Sequence, residues 1–399
     1  MSTELQWLER ERTIPEPLRP GEAAPGALRV EVHENPASFA RLENGWRKLA
    51  CPSCPCDPFM QIDWIKSWWH AFGGNERLRL VTAWQGDRLV GVLPLMLGRV
   101  RRYGIPVRRL GALVNVHSPR LDLICAQDVE GVVDTIWHHV IGTAGQWDIL
   151  ELPRMLSDSP TLERLVELSR SAGLRARCWQ AERSPYIETT DGWSNYLAGR
   201  SKNFRKALRR KKQRLSRMGQ LSLEVVSHPV DVPAALREGL EIEADGWKGR
   251  TGTAILSNDR DRTFYEALAL NAAAVGALRL HFLKLDDTRI AFDFSLRYAN
   301  RVYSLKSGYR NSHHEHSPGL VLLGLMLEHY MHSTVEEIDL LGKDDEFKKR
   351  WSRSTRSHQW LFCFAPTLRG RAVNRVKFGL IPLIKRMQES LISLIRPAR

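Results

Sequence analysis

The feature that most constrains this chain is that it states one pattern twice. Leu78-Arg79-Leu80 opens an apolar run that turns at Gln85-Gly86-Asp87 and returns through Arg88-Leu89-Val90-Gly91-Val92-Leu93-Pro94. Leu278-Arg279-Leu280 opens a second such run, which turns at Asp286-Asp287-Thr288 and returns through Ile290-Ala291-Phe292-Asp293-Phe294. His117-Ser118-Pro119 follows the first run and His316-Ser317-Pro318 the second. Trp147-Asp148-Ile149-Leu150-Glu151-Leu152 is then answered by Glu337-Ile338-Asp339-Leu340-Leu341-Gly342. A tandem duplication predicts two modules of one design, and it lets function persist in one copy while decaying in the other.

At 399 residues the chain exceeds a single hydrophobic core and should divide into domains. Apolar residues make up 43% and charged residues 26%, as in an ordinary globular protein. No uncharged apolar stretch is long enough to predict a transmembrane helix. Early charges at Glu4, Glu9, Arg10, Glu11 and Arg12, followed by Pro15, Pro17 and Pro20, leave no apolar signal-peptide core. Residues 1–27 read as a disordered lead, and the protein is expected in the cytoplasm. Cys51, Cys54 and Cys56 are crowded, but structural zinc wants four ligands and no second pair stands at a standard spacing. They read as loop thiols, and no metal is expected.

The net charge of +14 favours polyanionic partners: nucleic acid, acidic lipid surfaces or phosphate-bearing cofactors. It is concentrated. Between Gly192 and Leu223 there is no acid, while Arg200, Lys202, Arg205, Lys206 and Arg209-Arg210-Lys211-Lys212 crowd together with Arg214 and Arg217. Ser201 is a fitting cap for a helix over 201–217, ended by Gly219.

In the first copy, strands are predicted at 28–32, in the hairpin 78–98, near 107–113, at 147–152 and at 174–179. Helices are predicted at 35–50, 62–72, 128–143 and 159–172. The second copy predicts strands at 221–226, 278–297, 301–309, 337–341 and 359–364, with helices at 233–247, 260–275, 318–332 and 345–351. Both read β, α, α, β, β, β, α, β, α, β. Beyond Phe364 a basic tail carries Val373, Val376, Leu380, Ile384, Met387, Leu391 and Ile395 at steps of 3 and 4, interrupted by Pro382.

That order resembles the GNAT N-acyltransferase superfamily, and the tandem resembles FemAB-type proteins, which carry two such modules. More narrowly, the chain is similar to the CelD-type acetyltransferase family associated with cellulose and exopolysaccharide biosynthesis. The carrying motifs are Gly246-Trp247-Lys248-Gly249-Arg250-Thr251-Gly252-Thr253-Ala254, Tyr303-Ser304-Leu305-Lys306-Ser307-Gly308-Tyr309, Ser317-Pro318-Gly319, and Asp339-Leu340-Leu341-Gly342 leading to Glu346-Phe347-Lys348-Lys349-Arg350-Trp351. The likeness implies an α/β (α+β) fold of tandem GNAT-like domains, each a mixed, mostly antiparallel sheet flanked by helices. The expected divisions are the lead 1–27, an N-terminal non-catalytic domain 28–184, a C-terminal acyltransferase domain 185–368, and an amphipathic tail 369–399. One departure stands out: the family often places Tyr, a proton donor to the leaving thiolate, where this chain has Phe347.

The resemblance implies acetyl-CoA or another acyl-CoA as donor, with its pyrophosphate at the helix start Ser317-Pro318-Gly319-Leu320. Pro suits a first helical turn, Gly admits close approach, and a helix N-terminus offers unpaired N–H groups with partial positive charge. In the first copy Arg120 replaces that Gly and Asp122 would repel phosphate, so the second copy is expected to bind the donor. Asp293, Asp339 and Lys306 are the candidate catalytic groups, because an amine acceptor must lose a proton before attack. Trp247, Lys248, Arg250, Arg205, Tyr309 and Lys343 are the candidate acceptor-binding residues. The acceptor, an amine or hydroxyl, is expected in a cleft between the modules. His313-His314-Glu315-His316 reads as a loop flanking it, since neighbouring side chains on an extended loop point apart and rarely share one ion.

The basic helix admits a nucleic-acid partner, an anionic acceptor or a plain solvated surface. Only Phe204 interleaves its cations, which disfavours single-strand binding. A FemAB-type transferase using aminoacyl-tRNA, and an inactive accessory module of an exopolysaccharide complex, are the rival functions. The tail fits an interfacial helix on anionic lipid at the inner membrane face, or packing on the body.

Overall fold

The computed structural model of the chain describes residues 27–50 and 57–384 together with Met387. The lead before Ala27, the Cys51, Cys54 and Cys56 thiols, and the tail after Met387 lie outside the described residues. The duplication is legible in the order of elements. The first copy runs β1 (Leu28–His33), α1 (Ser38–Leu49), α2 (Ile62–Phe72), β2 (Arg77–Gln85), β3 (Arg88–Arg102), β4 (Ile105–Ala112), β5 (Ile124–Cys125), α3 (Val132–Gly142), β6 (Ile149–Leu156), α4 (Pro160–Ser171) and β7 (Arg175–Glu188). Two linking helices follow, α5 (Trp193–Ala198) and α6 (Lys202–Ser216). The second copy runs β8 (Leu221–Val226), α7 (Val232–Asp245), α8 (Trp247–Arg250), α9 (Asp259–Ala274), β9 (Leu278–Leu285), β10 (Thr288–Tyr298), β11 (Arg301–Tyr309), α10 (Pro318–Tyr330), β12 (Glu337–Asp339), α11 (Glu346–Trp351) and β13 (Ser354–Phe364), closed by α12 (Leu368–Arg375).

All strands join one mixed sheet in the order β1-β2-β3-β4-β6-β13-β7-β12-β11-β10-β9-β8, with β5 on β3. Each copy thus builds four antiparallel strands and a parallel fifth: β6 along β4, and β12 along β11. The sixth strands are exchanged. The last strand of the chain, β13, pairs antiparallel with β6 of the first copy. The end of β7, from the first copy, pairs antiparallel with β12 of the second. Strands β7 and β13 also pair with each other from Arg175↔Phe364 to Tyr186↔Ser354. The boundary expected at 184/185 therefore falls inside a strand, and residues 354–364 lie in the first module's half of the sheet.

Burial along the seam explains the tryptophan-rich second helix. Trp64 of α2 meets Phe59 at 5.0 Å and Phe264 of α9 at 5.1 Å, and Phe59 meets Tyr303 of β11 at 5.4 Å, all edge to face. That is the preferred aromatic geometry, and it fixes α2 on α9 across the two modules. The basic helix is ordered for an equally local reason. Ser201 caps α6 by accepting from the Phe204 N–H, while Phe204, Leu208 and Leu215 bury one face and leave the cations outward. Phe204 stands edge-on to Trp351 of α11 at 4.9 Å.

Candidate functional site

Parallel pairing of β11 with β12 lasts three residues, from Arg301↔Glu337 to Tyr303↔Asp339. There the strands part. β11 continues to Tyr309, while Leu341 and Gly342, both at positive φ, turn the other chain out of the sheet. Just past the parting β11 carries a bulge: Phe294 faces Lys306 and Ser295 faces Ser304, so Leu305 has no opposite number on β10. Bulges re-aim side chains and free backbone groups, and they recur beside active sites.

The parting opens a cleft of ≈ 630 Å³ walled by β11, the Leu340–Gly342 turn, α8, and the first turns of α10 and α11. Ser317, at φ 54 and ψ 57, forms the N-cap of α10, and no side chain caps the helix. Gly319 faces the cleft, and a Cβ there would meet only Tyr309 Cδ1, at 3.6 Å. Packing therefore does not demand glycine at 319, and its bare backbone leaves the space in front of the helix open. Gly308 differs, because a Cβ there would stand 2.4 Å from the Glu243 Cα, so its absence lets α7 lie against β11.

Asp293, Glu243, Lys248 and Lys306 shape the floor. The Asp293 carboxylate, almost wholly buried, accepts from the hydroxyls of Ser295 and, at 2.5 Å, Ser304. Behind it His281 stands with Nδ1 3.7 Å from the carboxylate and Nε2 2.7 Å from the Tyr330 hydroxyl, whose pKa burial pushes up to about 12. Glu243 is fully buried, and Lys248 Nζ donates to it at 3.0 Å and to the Ser307 carbonyl at 2.7 Å. Lys306 lies 5.7 Å from the Tyr265 ring; burial, and then Lys248, hold its ammonium below the usual lysine range. Lys348 of α11 enters the opposite wall, donates to the Leu341 carbonyl at 2.7 Å, and is likewise lowered by burial.

Of the residues singled out from sequence, the cleft gathers Asp293, Lys306, Trp247, Lys248, Tyr309, Ser317, Gly319 and Leu320. Pro318 is buried as the first residue of α10. Phe347, 43% exposed, lines the cleft with no proton to give. Four candidates stand elsewhere. Asp339 is fully buried in the seam, where Arg120 of the first module and Arg356, at 3.3 Å, donate to one of its oxygens and the Leu341 N–H to the other. Held by these partners in the seam and set back from the cleft lining, Asp339 braces the framework. Arg250 turns to Asn311 at 3.1 Å on the cleft's outer side. Arg205 is exposed on α6, and Lys343 lines a separate shallow depression with Arg183 and Asp344. The cleft lies within the second module rather than between the modules. Glu243, Ser304 and Lys348 were not singled out. An acid at Glu243, on the stripe made by Leu236, Gly239 and Leu240, was the signal for the first.

In the first module the same place is closed. Arg154 donates to the carbonyls of Asn115, at 3.3 Å, and Ser118, at 2.7 Å, and accepts from Leu121 N–H through its own carbonyl at 3.3 Å. Leu121 and Leu123 are buried there, and Ser118-Pro119 runs into irregular chain instead of a helix.

Residues 202–349 match the family model described as the acetyltransferase (GNAT) domain. No curated protein matches the chain. Among solved structures the chain is similar to FemX (11% identity, TM-score 0.53, covering 84% of this chain and 98% of that one). It is similar too to the C-terminal domain of a proposed lysylphosphatidylglycerol synthetase from Agrobacterium fabrum (13%, TM-score 0.50, 81% and 92%). A conserved protein of unknown function from Bacteroides thetaiotaomicron VPI-5482 gives 11%, TM-score 0.51, 84% and 100%. At such identities the likeness is one of fold. Residues 202–349 thus resemble a GNAT acetyltransferase domain, and the whole chain shares the fold of FemX.

Proposed function

We propose that the chain is an acyl-CoA-dependent acyltransferase in which an amine or hydroxyl acceptor attacks the donor thioester directly, in the second module's cleft. One observation carries the reading: the strands β11 and β12 part into a cleft whose wall includes an uncapped helix N-terminus with no side chain at its second residue. The Leu320 and Val321 N–H groups go to the Ser317 carbonyl, so the Gly319 N–H and the partial positive charge of that turn are what would meet the pyrophosphate of coenzyme A. The thioester carbonyl lies between the parted strands, where main-chain N–H groups steady the oxyanion.

The acceptor nitrogen passes its proton to the Ser304 oxygen as that hydroxyl passes its own to Asp293, an arrangement within the reach general base catalysis needs. The nitrogen–carbonyl bond forms, the tetrahedral centre collapses, and the C–S bond breaks to release the thiolate. With Phe347 in place of a proton donor, the Lys348 ammonium next to it protonates the thiolate. Holding donor and acceptor together supplies much of the acceleration. Acetyl-CoA is the first donor to try. The CelD-type likeness points to sugar amines and other polysaccharide or cell-envelope precursors as acceptors.

Two other readings each have one observation behind them. The exposed cations of α6 favour a FemAB-like transferase fed by aminoacyl-tRNA, and Phe347 favours an inactive accessory module. Release of free coenzyme A, measured across short and long acyl-CoAs against sugar-amine, amino-acid and lipid-linked acceptors, tests the three. Turnover with an acyl-CoA supports the first. Transfer from aminoacyl-tRNA alone supports the second, and no turnover with either supports the third.

A further inference from the structure

The helix that closes the chain changes character part-way along. Over its first turns it is packed: Val373 is buried with Val107, Ile149, Phe362 and Phe364, and Phe378 lies edge-on to Trp179, Phe362 and Phe364 at 6.0 to 6.1 Å. A wider turn over Val376–Leu380, with the Ile381 N–H on the Val376 carbonyl, carries the helix past Pro382, which has no N–H to donate. Beyond Phe378 the packing thins, with Ile381 and Pro382 still partly buried. Leu380, Leu383, Ile384 and Met387 recur at steps of three and four, which puts them on one side of a helix, and they are 53%, 55%, 51% and 57% exposed. Contiguous apolar patches of this kind mark contact sites on soluble proteins.

What covers the stripe is indicated by its charge. Arg369, Arg371, Arg375, Lys377, Lys385 and Arg386 accompany it, and no Asp or Glu occurs from Leu368 to Met387. Lys377 holds its ammonium over Phe362 at 4.3 Å and over Trp179 at 5.2 Å, and Trp179 itself is 43% exposed. A second copy of this chain would bring six cations against six, a repulsive match. An apolar stripe bordered by cations and flanked by a half-exposed Trp matches the boundary of an anionic bilayer, where the side chains enter the acyl region and the ammonium and guanidinium groups stay among the headgroups. No described helix is long and apolar enough to cross a membrane, so the contact is peripheral.

We propose that the helix from Leu368 onward docks the protein on anionic lipid, lying in the headgroup plane with Leu380, Leu383, Ile384 and Met387 inserted. The proposal stands apart from the transferase reading, since it concerns another face. The test is co-sedimentation of the full chain with vesicles of phosphatidylcholine alone or with about 30% phosphatidylglycerol. Anionic vesicles should bind about tenfold more protein than neutral ones, and raised salt should reverse the binding. L383S/I384S should cut binding about tenfold without moving the thermal midpoint, because both side chains are already exposed, and R371E/R375E should do the same by charge alone. Equal binding to both vesicle types, no binding to either, or binding unaffected by L383S/I384S would overturn it. So would a concentration-dependent dimer, dissolved by the same substitutions, in a protein that ignores vesicles.

Discussion

The Ser304 hydroxyl donates to the Asp293 carboxylate at 2.5 Å, and the pair joins the cleft wall to a buried row that continues through His281 to Tyr330. The bulge at Leu305 is what brings Ser304 opposite Ser295 and thus within reach of Asp293. Asp293→Asn keeps the shape and an acceptor for Ser304 but cannot take a proton. It should lower kcat on the order of a hundredfold, the usual weight of general base catalysis, with little change in the urea midpoint. Unchanged kcat would remove Asp293 from the mechanism.

Arg120 and Asp339 should behave in the opposite way. Arg120, 3% exposed, bridges the buried Asp339 and, at 3.1 Å, the partly exposed Asp57, and its loss leaves Asp339 buried with Arg356 as its remaining cation. Arg120→Ala should cost about 3–5 kcal/mol in urea unfolding, as broken buried pairs do. In the folded fraction kcat should fall far less than in Asp293→Asn. A large loss of kcat at full stability would instead return Asp339 to the chemistry.

The lysines of the cleft give a pH signature. Lys306 is held below the ordinary lysine range by burial and by Lys248. Between that lowered value and about 10.4 the unfolded chain binds more protons than the folded one. Stability from this group therefore rises with pH across the window and is lost as pH falls through the folded value. Compared with Lys306→Met, the wild type should gain urea stability as pH rises towards about 10.4. A difference constant in pH would mean that Lys306 titrates normally.

Gly308 is set by crowding. Its Cβ position lies 2.4 Å from the Glu243 Cα, so Gly308→Ala must push α7 from β11. The expected cost is about 1–3 kcal/mol, with a raised KM for the acyl donor. An alanine variant of wild-type midpoint and KM would show that α7 yields freely.

Local patterns and the duplication carried most of the fold, because alternating strands, the Ser201 cap and the Pro318 helix start are decided by near neighbours. The strand exchange was not legible. Strand β7 is polar and contains Pro185, which reads as a strand end, and its partners lie roughly 150 residues onward in β12 and roughly 170 to 190 onward in β13. Asp339 looked functional because it stands where the strands part, but one of its two arginine partners, Arg120, comes from the other copy, 219 residues away. Lys348 was passed over inside a run of cations whose burial depends on the Leu341 turn.

The central claim is that an acyl-CoA rests against the first turn of α10, and calorimetric titration of acetyl-CoA and a longer acyl-CoA into the wild type and Gly319→Asp tests it most directly. Gly319 has open space before it, so an aspartate folds there without a clash, but it places a carboxylate where the pyrophosphate would lie. The account predicts saturable binding to the wild type and at least about a hundredfold weaker binding to the variant at an unchanged thermal midpoint. Equal affinity in the two proteins, or no binding of any acyl-CoA to the wild type, would contradict it.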